Sequence, residues 1–194
     1  MSEGRGGISG RFRDFLSMTR MPFAFIQTIF IILGFLQAGG SDFLRLFLGV
    51  VALGPSLIYG GVYILNDIAD IDSDRKNPKK EKRAITSSRI GTKNAFFTAL
   101  SLIAVGFAMA LYISRGFALI CLIVLLNNLA YSFGPRFKDR LHLGLLSCSL
   151  NYPLRFLAGI SIANTGKFDI LPPLLFFLIA LNGFSAYRIY DSRN

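Results

Sequence analysis

Six stretches free of Asp, Glu, Lys and Arg, one of them broken by a single Arg, occupy most of the chain between Pro22 and Tyr187. A bilayer core is about 30 Å thick, and a helix needs roughly 17 to 25 apolar residues to cross it. The stretches are PFAFIQTIFIILGFLQA from Pro22, then Leu46–Leu65, Ala95–Ser114, Gly116–Pro135, Leu141–Gly166 interrupted by Arg155, and Ile170–Tyr187. With 53% hydrophobic residues among 194, little polar material is left to clothe a soluble domain. The expected fold is all-α: a polytopic transmembrane bundle with six helices, preceded over residues 1–21 by a basic arm that ends in an interfacial helix.

Charge supplies an independent check, because Lys and Arg gather in cytoplasmic loops. Four lie in the N-terminal arm (Arg5, Arg11, Arg13, Arg20), eight between Arg75 and Lys93, three at Arg136, Lys138 and Arg140, and two at Arg188 and Arg193. The alternate connections hold only Arg45, Arg115 and Lys167. Both termini and the loops after the second and fourth spans are therefore expected in the cytoplasm. The net charge of +10 is then a topological signal. A nucleic-acid binder would need a folded polar surface for its basic residues, so no nucleic-acid partner is expected. The arm is too polar for a signal peptide. Cys121 and Cys148 fall inside spans, which points away from disulfide or metal-thiolate chemistry.

The second span ends on NDIADIDSDRKNPKKEKR, Asn66–Arg83. Asp67, Asp70 and Asp74 are three and four residues apart, so a continuing helix puts them on one face, with Asn66 beside them and Asp72 turned away. Like charges so placed repel unless a cation neutralises them, and hard carboxylate oxygens suit Mg²⁺. That ion commonly bridges one or two carboxylates to substrate phosphates, and the bases that follow, including Arg75 and Arg83, suit phosphate oxygens. A solvated loop in which acids and bases pair among themselves is the simpler alternative. Against it stand the segregation of acids from bases and their position at the end of an apolar helix, where a ligand with a phosphate head and a lipid tail would meet both environments.

Asn66, Asp67, Asp70 and Asp74 fit NDxxDxxxD, which resembles the first aspartate-rich motif of the UbiA superfamily of intramembrane prenyltransferases. YSFGPRFK, Tyr131–Lys138, resembles that family's Tyr-Ser and Lys pattern after the fourth helix. Together the resemblances reach from about Pro22 to the end of the chain. They imply a helical bundle of about nine helices in which Mg²⁺, held by Asp67, Asp70 and Asp74, binds a prenyl diphosphate and assists loss of diphosphate. The allylic cation then alkylates a lipophilic acceptor. Lys138 and Arg83 would contact the diphosphate, with Asn66, Arg75, Tyr131, Asn151 and Arg155 as further substrate contacts.

The chain departs from the family pattern in two places. Ala84 follows Arg83 where the family has Pro, and the second DxxxD motif has only Asp191 as a candidate first residue, so the chain is expected to be a truncated form. DRKNPKKEKRAI and YPLRFLAG also resemble the polyprenyl-phosphate phosphoribosyltransferase branch, although Asn77 stands where that branch has His. A cation-binding transporter would favour acidic residues inside the spans, and there are none; an inactive paralogue is the third reading.

Arg155 lies deep within the fifth span, where charges face a cavity and mark function. It contacts a phosphate or the acceptor, or else it forms a structural pair with the helix broken near Pro153. Asn127, Asn128 and Asn151 serve interhelical hydrogen bonds or substrate contact. His142 is expected at the interface, and the many Phe residues in lipid-facing or packing positions.

Overall fold

The computed structural model describes residues 8–19, 21–54 and 56–191, the side chains of residues 8, 9, 11–13, 21–27 and 188–191 excepted. Arg5, Arg11, Arg13, Arg20, Arg188, Asp191 and Arg193 therefore lie outside the described side chains. All the regular structure among the described residues is helical, in the order α1 Ile8–Met18, α2 Met21–Gln37, α3 Phe43–Leu53, α4 Ile58–Ala69, α5 Ile71–Asp74, α6 Thr92–Ile113, α7 Arg115–Ser132, α8 Leu141–Ala163 and α9 Leu171–Asp191. A single 3₁₀ turn, Phe137–Asp139, joins α7 to α8.

Among the described residues, three segments are long and apolar enough to cross a membrane: Phe43–Ala69, Thr92–Ile113 and Arg115–Ser132. Two shorter apolar helices, Thr28–Gln37 and Leu171–Tyr187, accompany them. Large apolar side chains face outward along these helices, among them Leu111, Leu119, Leu126 and Ile179. Water would penalise such a surface, whereas hydrocarbon does not. Phe follows the same division: Phe96 and Phe97 are exposed, while Phe35 and Phe117 are fully buried in the core.

Two sequence expectations need correction. The second span is two helices, because Gly54 precedes Pro55 and the residue before a proline is pushed out of the α region; Gly54 is extended, with φ −67° and ψ −165°. The fifth span is not broken at Pro153, since α8 runs through it from Leu141 to Ala163. In the turns before it, Asn127 and Asn151 both donate to the Ser147 carbonyl, at 3.0 and 3.1 Å; the carbonyl that Pro153 deprives of its helical donor is that of Ser149, four residues earlier.

α8 packs against α2, α7 and α9, and α4 packs against α6. The α2–α8 contact is made backbone to backbone. A Cβ on Gly34 would run into the Phe156 carbonyl, and one on Gly159 into the Ile31 carbonyl. Small residues permit this approach, which is how apolar helices gain contact where no water is available to drive them together. Ile31, Phe35, Leu53, Tyr59, Phe117, Val124, Leu154 and Ile162 share the resulting core. A second cluster lies at one end of α4, where Met18 of α1 packs with Ile64, Leu65, Ala84 and Ile85. This cluster seats the segment after the acidic stretch.

Candidate active site

α4 stops at Ala69, and Asp70 caps it in the bridge region at φ −105° and ψ 5°. The chain re-enters helix at once: the Asp74 N–H donates to the Asp70 carbonyl at 2.8 Å. The break is therefore slight, and Asp67, Asp70 and Asp74 stay on the side that helical spacing assigns them. The Asp72 side chain, 95% exposed, points away as expected, with Arg75 at 3.7 Å.

The acids do not lie bare. One nitrogen of Arg83, Nη1, donates to Asp67 Oδ1 at 3.0 Å and to Asp74 Oδ2 at 2.7 Å. Lys80 Nζ stands 3.5 Å from Asp74 Oδ1, and Lys138 pairs with Asp70. The side chains of Asp67 and Asp74 are only 6% and 2% exposed, and buried carboxylates need such partners. To this extent the simple loop reading is realised, since acids and bases of one segment pair. Lys138, however, reaches in from the connection after α7, 68 positions along the chain.

Arg83 is fixed from several sides. Its carbonyl accepts from Ser87 N–H at 2.9 Å and Ser87 Oγ at 2.7 Å. The neighbouring Lys82 carbonyl accepts from Arg89 Nη2 at 3.1 Å, and the Ala84 carbonyl from the Ile90 N–H at 3.0 Å. Arg89 also donates to Asp14 of α1, Nη2 to Oδ1 at 3.0 Å. The amphipathic first helix is thus fastened to the loop that aims Arg83. Around Lys138 the turn is held by Arg136, whose Nε donates to Asp139 Oδ2 at 2.7 Å. That hydrogen bond keeps the Asp139 carboxyl below its usual range. Arg136 itself adopts φ 47°, a left-handed conformation uncommon outside glycine.

Farther along α4 lies a buried polar cluster. Tyr59, Tyr63, Asn66, Asp67 and Asp70 recur at helical spacing on one face, and at 1.5 Å per residue Tyr59 lies about 12 Å from Asp67 along the axis. Arg155, 4% exposed, places its guanidinium 4.2 Å from the centre of the Tyr59 ring. The Tyr59 hydroxyl donates to Asn151 Oδ1 at 2.9 Å, and Asn128 Nδ2 donates to the same oxygen at 2.9 Å. Arg155 makes no hydrogen bond or ion pair among the described residues, so the structural ion pair considered for it is absent there; its neighbour is a ring face, which attracts a cation through its quadrupole. Asn127 and Ser147 bond each other across α7 and α8, Ser147 Oγ to Asn127 Oδ1 at 2.9 Å. The asparagines thus make interhelical bonds, and Asn151 also ties the cluster to α4.

The residues at the acidic end suit a divalent cation by their chemistry. Three carboxylates offer hard oxygens, and Asn66 Oδ1 is buried with no partner among the described residues. Such an orphaned acceptor beside carboxylates fits a metal ligand. The three Asp do not, however, converge as one set of metal ligands among the described residues. Arg83 Nη1 sits between an oxygen of Asp67 and one of Asp74, and Lys138 pairs with Asp70. Tyr131 lies half-buried in the last turn of α7 and Arg75 is exposed beside Asp72. His142 is exposed at the start of α8, and both cysteines are free, Cys121 buried and Cys148 half-buried.

A family model described as the UbiA prenyltransferase family matches residues 27–194. The chain belongs to that family. A UbiA homologue from Archaeoglobus fulgidus, solved with GPP and Mg²⁺, superposes with a TM-score of 0.79 at 19% identity over 93% of this chain and 64% of the other. The likeness shows the UbiA fold. The decaprenyl-phosphate phosphoribosyltransferase of Mycobacterium tuberculosis is 30% identical over 104 residues, 54% of this chain and 34% of that protein. The 4-hydroxybenzoate octaprenyltransferase of Francisella tularensis subsp. novicida is 34% identical over 74 residues, 38% of this chain and 26% of that protein. The chain thus matches about a quarter to a third of the length of these curated relatives.

Within this UbiA chain, sequence reasoning overlooked Tyr59, Asn128 as a partner of the Arg155 cluster, and the Asp14–Arg89 link. Tyr59 was legible in principle, because it continues the face of Asp67 and Asp70 toward the N-terminus of α4. Asp14 and Arg89 are 75 positions apart, and no local pattern announces such a pair.

Proposed function

We propose that this chain carries the donor site of a Mg²⁺-dependent intramembrane prenyltransferase, which moves an isoprenoid group from a prenyl diphosphate to an aromatic, quinone-precursor or lipid acceptor. The observation that carries this reading is the gathering of Asp67, Asp70 and Asp74 with Arg83, Lys80 and Lys138 at the end of an apolar helix. Asp67, Asp70 and Asp74 would hold the metal, with Asn66 Oδ1 as a further oxygen donor. Bound there, Mg²⁺ supplies Lewis-acid stabilisation of charge on the departing diphosphate.

The chain's own residues do the rest. Arg83 and Lys138 hold diphosphate oxygens, Arg83 as a planar fork and Lys138 as a point charge. Arg75 and Tyr131 are further contacts for the head group. The apolar helices take the isoprenoid and keep water from the allylic cation. Arg155, with Asn151 behind Tyr59, contacts the acceptor, because a buried guanidinium without an anionic partner among the described residues is suited to one. The acidic stretch, the Lys138 turn and both termini face the cytoplasm.

A second reading keeps the site and changes the donor. The match to a decaprenyl-phosphate phosphoribosyltransferase extends over 104 residues, and DRKNPKKEKRAI and LRFLAG lean the same way. The donor would then be phosphoribosyl diphosphate and the lipid phosphate the acceptor. Membranes carrying the chain, given labelled geranylgeranyl diphosphate or labelled phosphoribosyl diphosphate with Mg²⁺ or chelator, separate the two. Metal-dependent diphosphate release from the prenyl donor supports the first reading. Release only from the phosphoribosyl donor transfers support to the second, and release from neither overturns both.

A further inference from the structure

The cations suited to a diphosphate are, in this structure, bonded to the carboxylates suited to a metal. Arg83 Nη1 lies 3.0 Å from Asp67 and 2.7 Å from Asp74. Lys138 pairs with Asp70, and Lys80 adds a more exposed contact to Asp74 at 3.5 Å. Three carboxylates are matched by three cations of the chain itself, and Asp67 and Asp74 are almost wholly desolvated.

This arrangement sets the terms on which ligands enter. A divalent cation arriving alone competes with Arg83 for the same two oxygens. A diphosphate arriving alone must draw Arg83 away from the buried carboxylates of Asp67 and Asp74, or Lys138 from the half-buried Asp70, and stripping one partner from a buried ion pair is strongly unfavourable. When both arrive, the exchange is complete: the carboxylates pass to the metal and the cations to the phosphate oxygens. No group is left bare.

We propose that Arg83 and Lys138 are exchangeable counter-ions, shared between the Asp67–Asp70–Asp74 carboxylates and a diphosphate, so that divalent cation and diphosphate bind this chain cooperatively. The proposal rests on the donor-site reading above and adds to it an energetic coupling. Such coupling is reciprocal: whatever factor diphosphate gives to metal affinity, metal gives to diphosphate affinity. It also makes a double demand of Arg83. A counter-ion occupies the oxygens the metal needs, so its removal must strengthen the binding of metal alone and at the same time reduce the gain that diphosphate brings.

The test is calorimetric titration of the purified full chain in lipid nanodiscs with Mg²⁺, alone and with methylenediphosphonate, correcting for metal bound to the diphosphonate in solution. In the wild type, diphosphonate is expected to tighten Mg²⁺ binding by about fivefold or more, the lower end of coupling between linked sites. Arg83→Gln should bind Mg²⁺ alone more tightly than the wild type and lose most of the gain from diphosphonate. Lys138→Gln tests the same exchange at Asp70 if Arg83→Gln does not fold. Equal Mg²⁺ affinity with and without diphosphonate in the wild type overturns the proposal, as does Mg²⁺ binding no tighter in the folded variants. If the wild type binds no Mg²⁺ under either condition, the donor-site reading itself falls.

Discussion

At the scale of single residues, Arg155 separates a structural role from a functional one. A buried charge whose neighbours are the Tyr59 ring, at 4.2 Å, and the Tyr152 ring, at 5.8 Å, gains about 2 kcal/mol or more from a desolvated ring contact, to be set against the several kcal/mol that burial of an ion costs. Arg155→Met is therefore expected to keep or raise the melting temperature. If Arg155 contacts an anionic group of the acceptor, the same variant loses a charge-assisted hydrogen bond of about 1.5–3 kcal/mol, and the KM for acceptor rises roughly tenfold or more with the donor KM unchanged. A fall in melting temperature with acceptor KM unaltered would assign Arg155 to structure alone. The acids at the other end of α4 were legible from spacing, because helical geometry turns intervals of three and four into one face. Their partners were not. That Arg83 would lie on Asp67 and Asp74 depends on the loop folding back over α4, and that Lys138 would reach Asp70 depends on the packing of α7 beside it.

Among the elements, α8 has the most exacting neighbours. Its contact with α2 leaves no room for a methyl group at Gly34 or Gly159. Gly159→Ala should lower stability by about 1–3 kcal/mol, the usual cost of overpacking, seen as a lower melting temperature in detergent; an unchanged value would show that α2 and α8 can separate freely. Helix existence was plain from the uncharged stretches, whereas two details depended on competition between local and tertiary effects. Pro55 divides the second span because the residue before a proline avoids the α region. Pro153 leaves α8 intact, in a stretch where side chains of α7 and α8 meet backbone hydrogen-bonding groups. Two prolines in similar apolar runs thus have opposite consequences, and sequence alone does not say which will find support.

For the whole molecule, the proposed topology puts the acidic stretch and the Lys138 turn on one side of the membrane, and Arg45, Arg115 and Lys167 on the other, as the distribution of Lys and Arg would have it. In right-side-out cells, a membrane-impermeant maleimide is expected to label Lys167→Cys and to leave Lys76→Cys unlabelled until the membrane is opened. The reverse pattern would invert the topology. Under the proposed function this arrangement would be chemically useful, since the charged cluster of Asp67, Asp70, Asp74, Arg83 and Lys138 would hold metal and diphosphate at the end of apolar helices that would take the isoprenoid. Equilibrium binding of geranylgeranyl thiolodiphosphate, a donor that does not react, tests that juxtaposition most directly when measured on the wild type and on Asp70→Ala with Mg²⁺ or chelator. Binding that needs Mg²⁺ and is weakened at least about tenfold by Asp70→Ala, more than 1.4 kcal/mol, is the expected result. Equal binding by both proteins, or binding indifferent to chelator, would contradict a donor site built on these carboxylates.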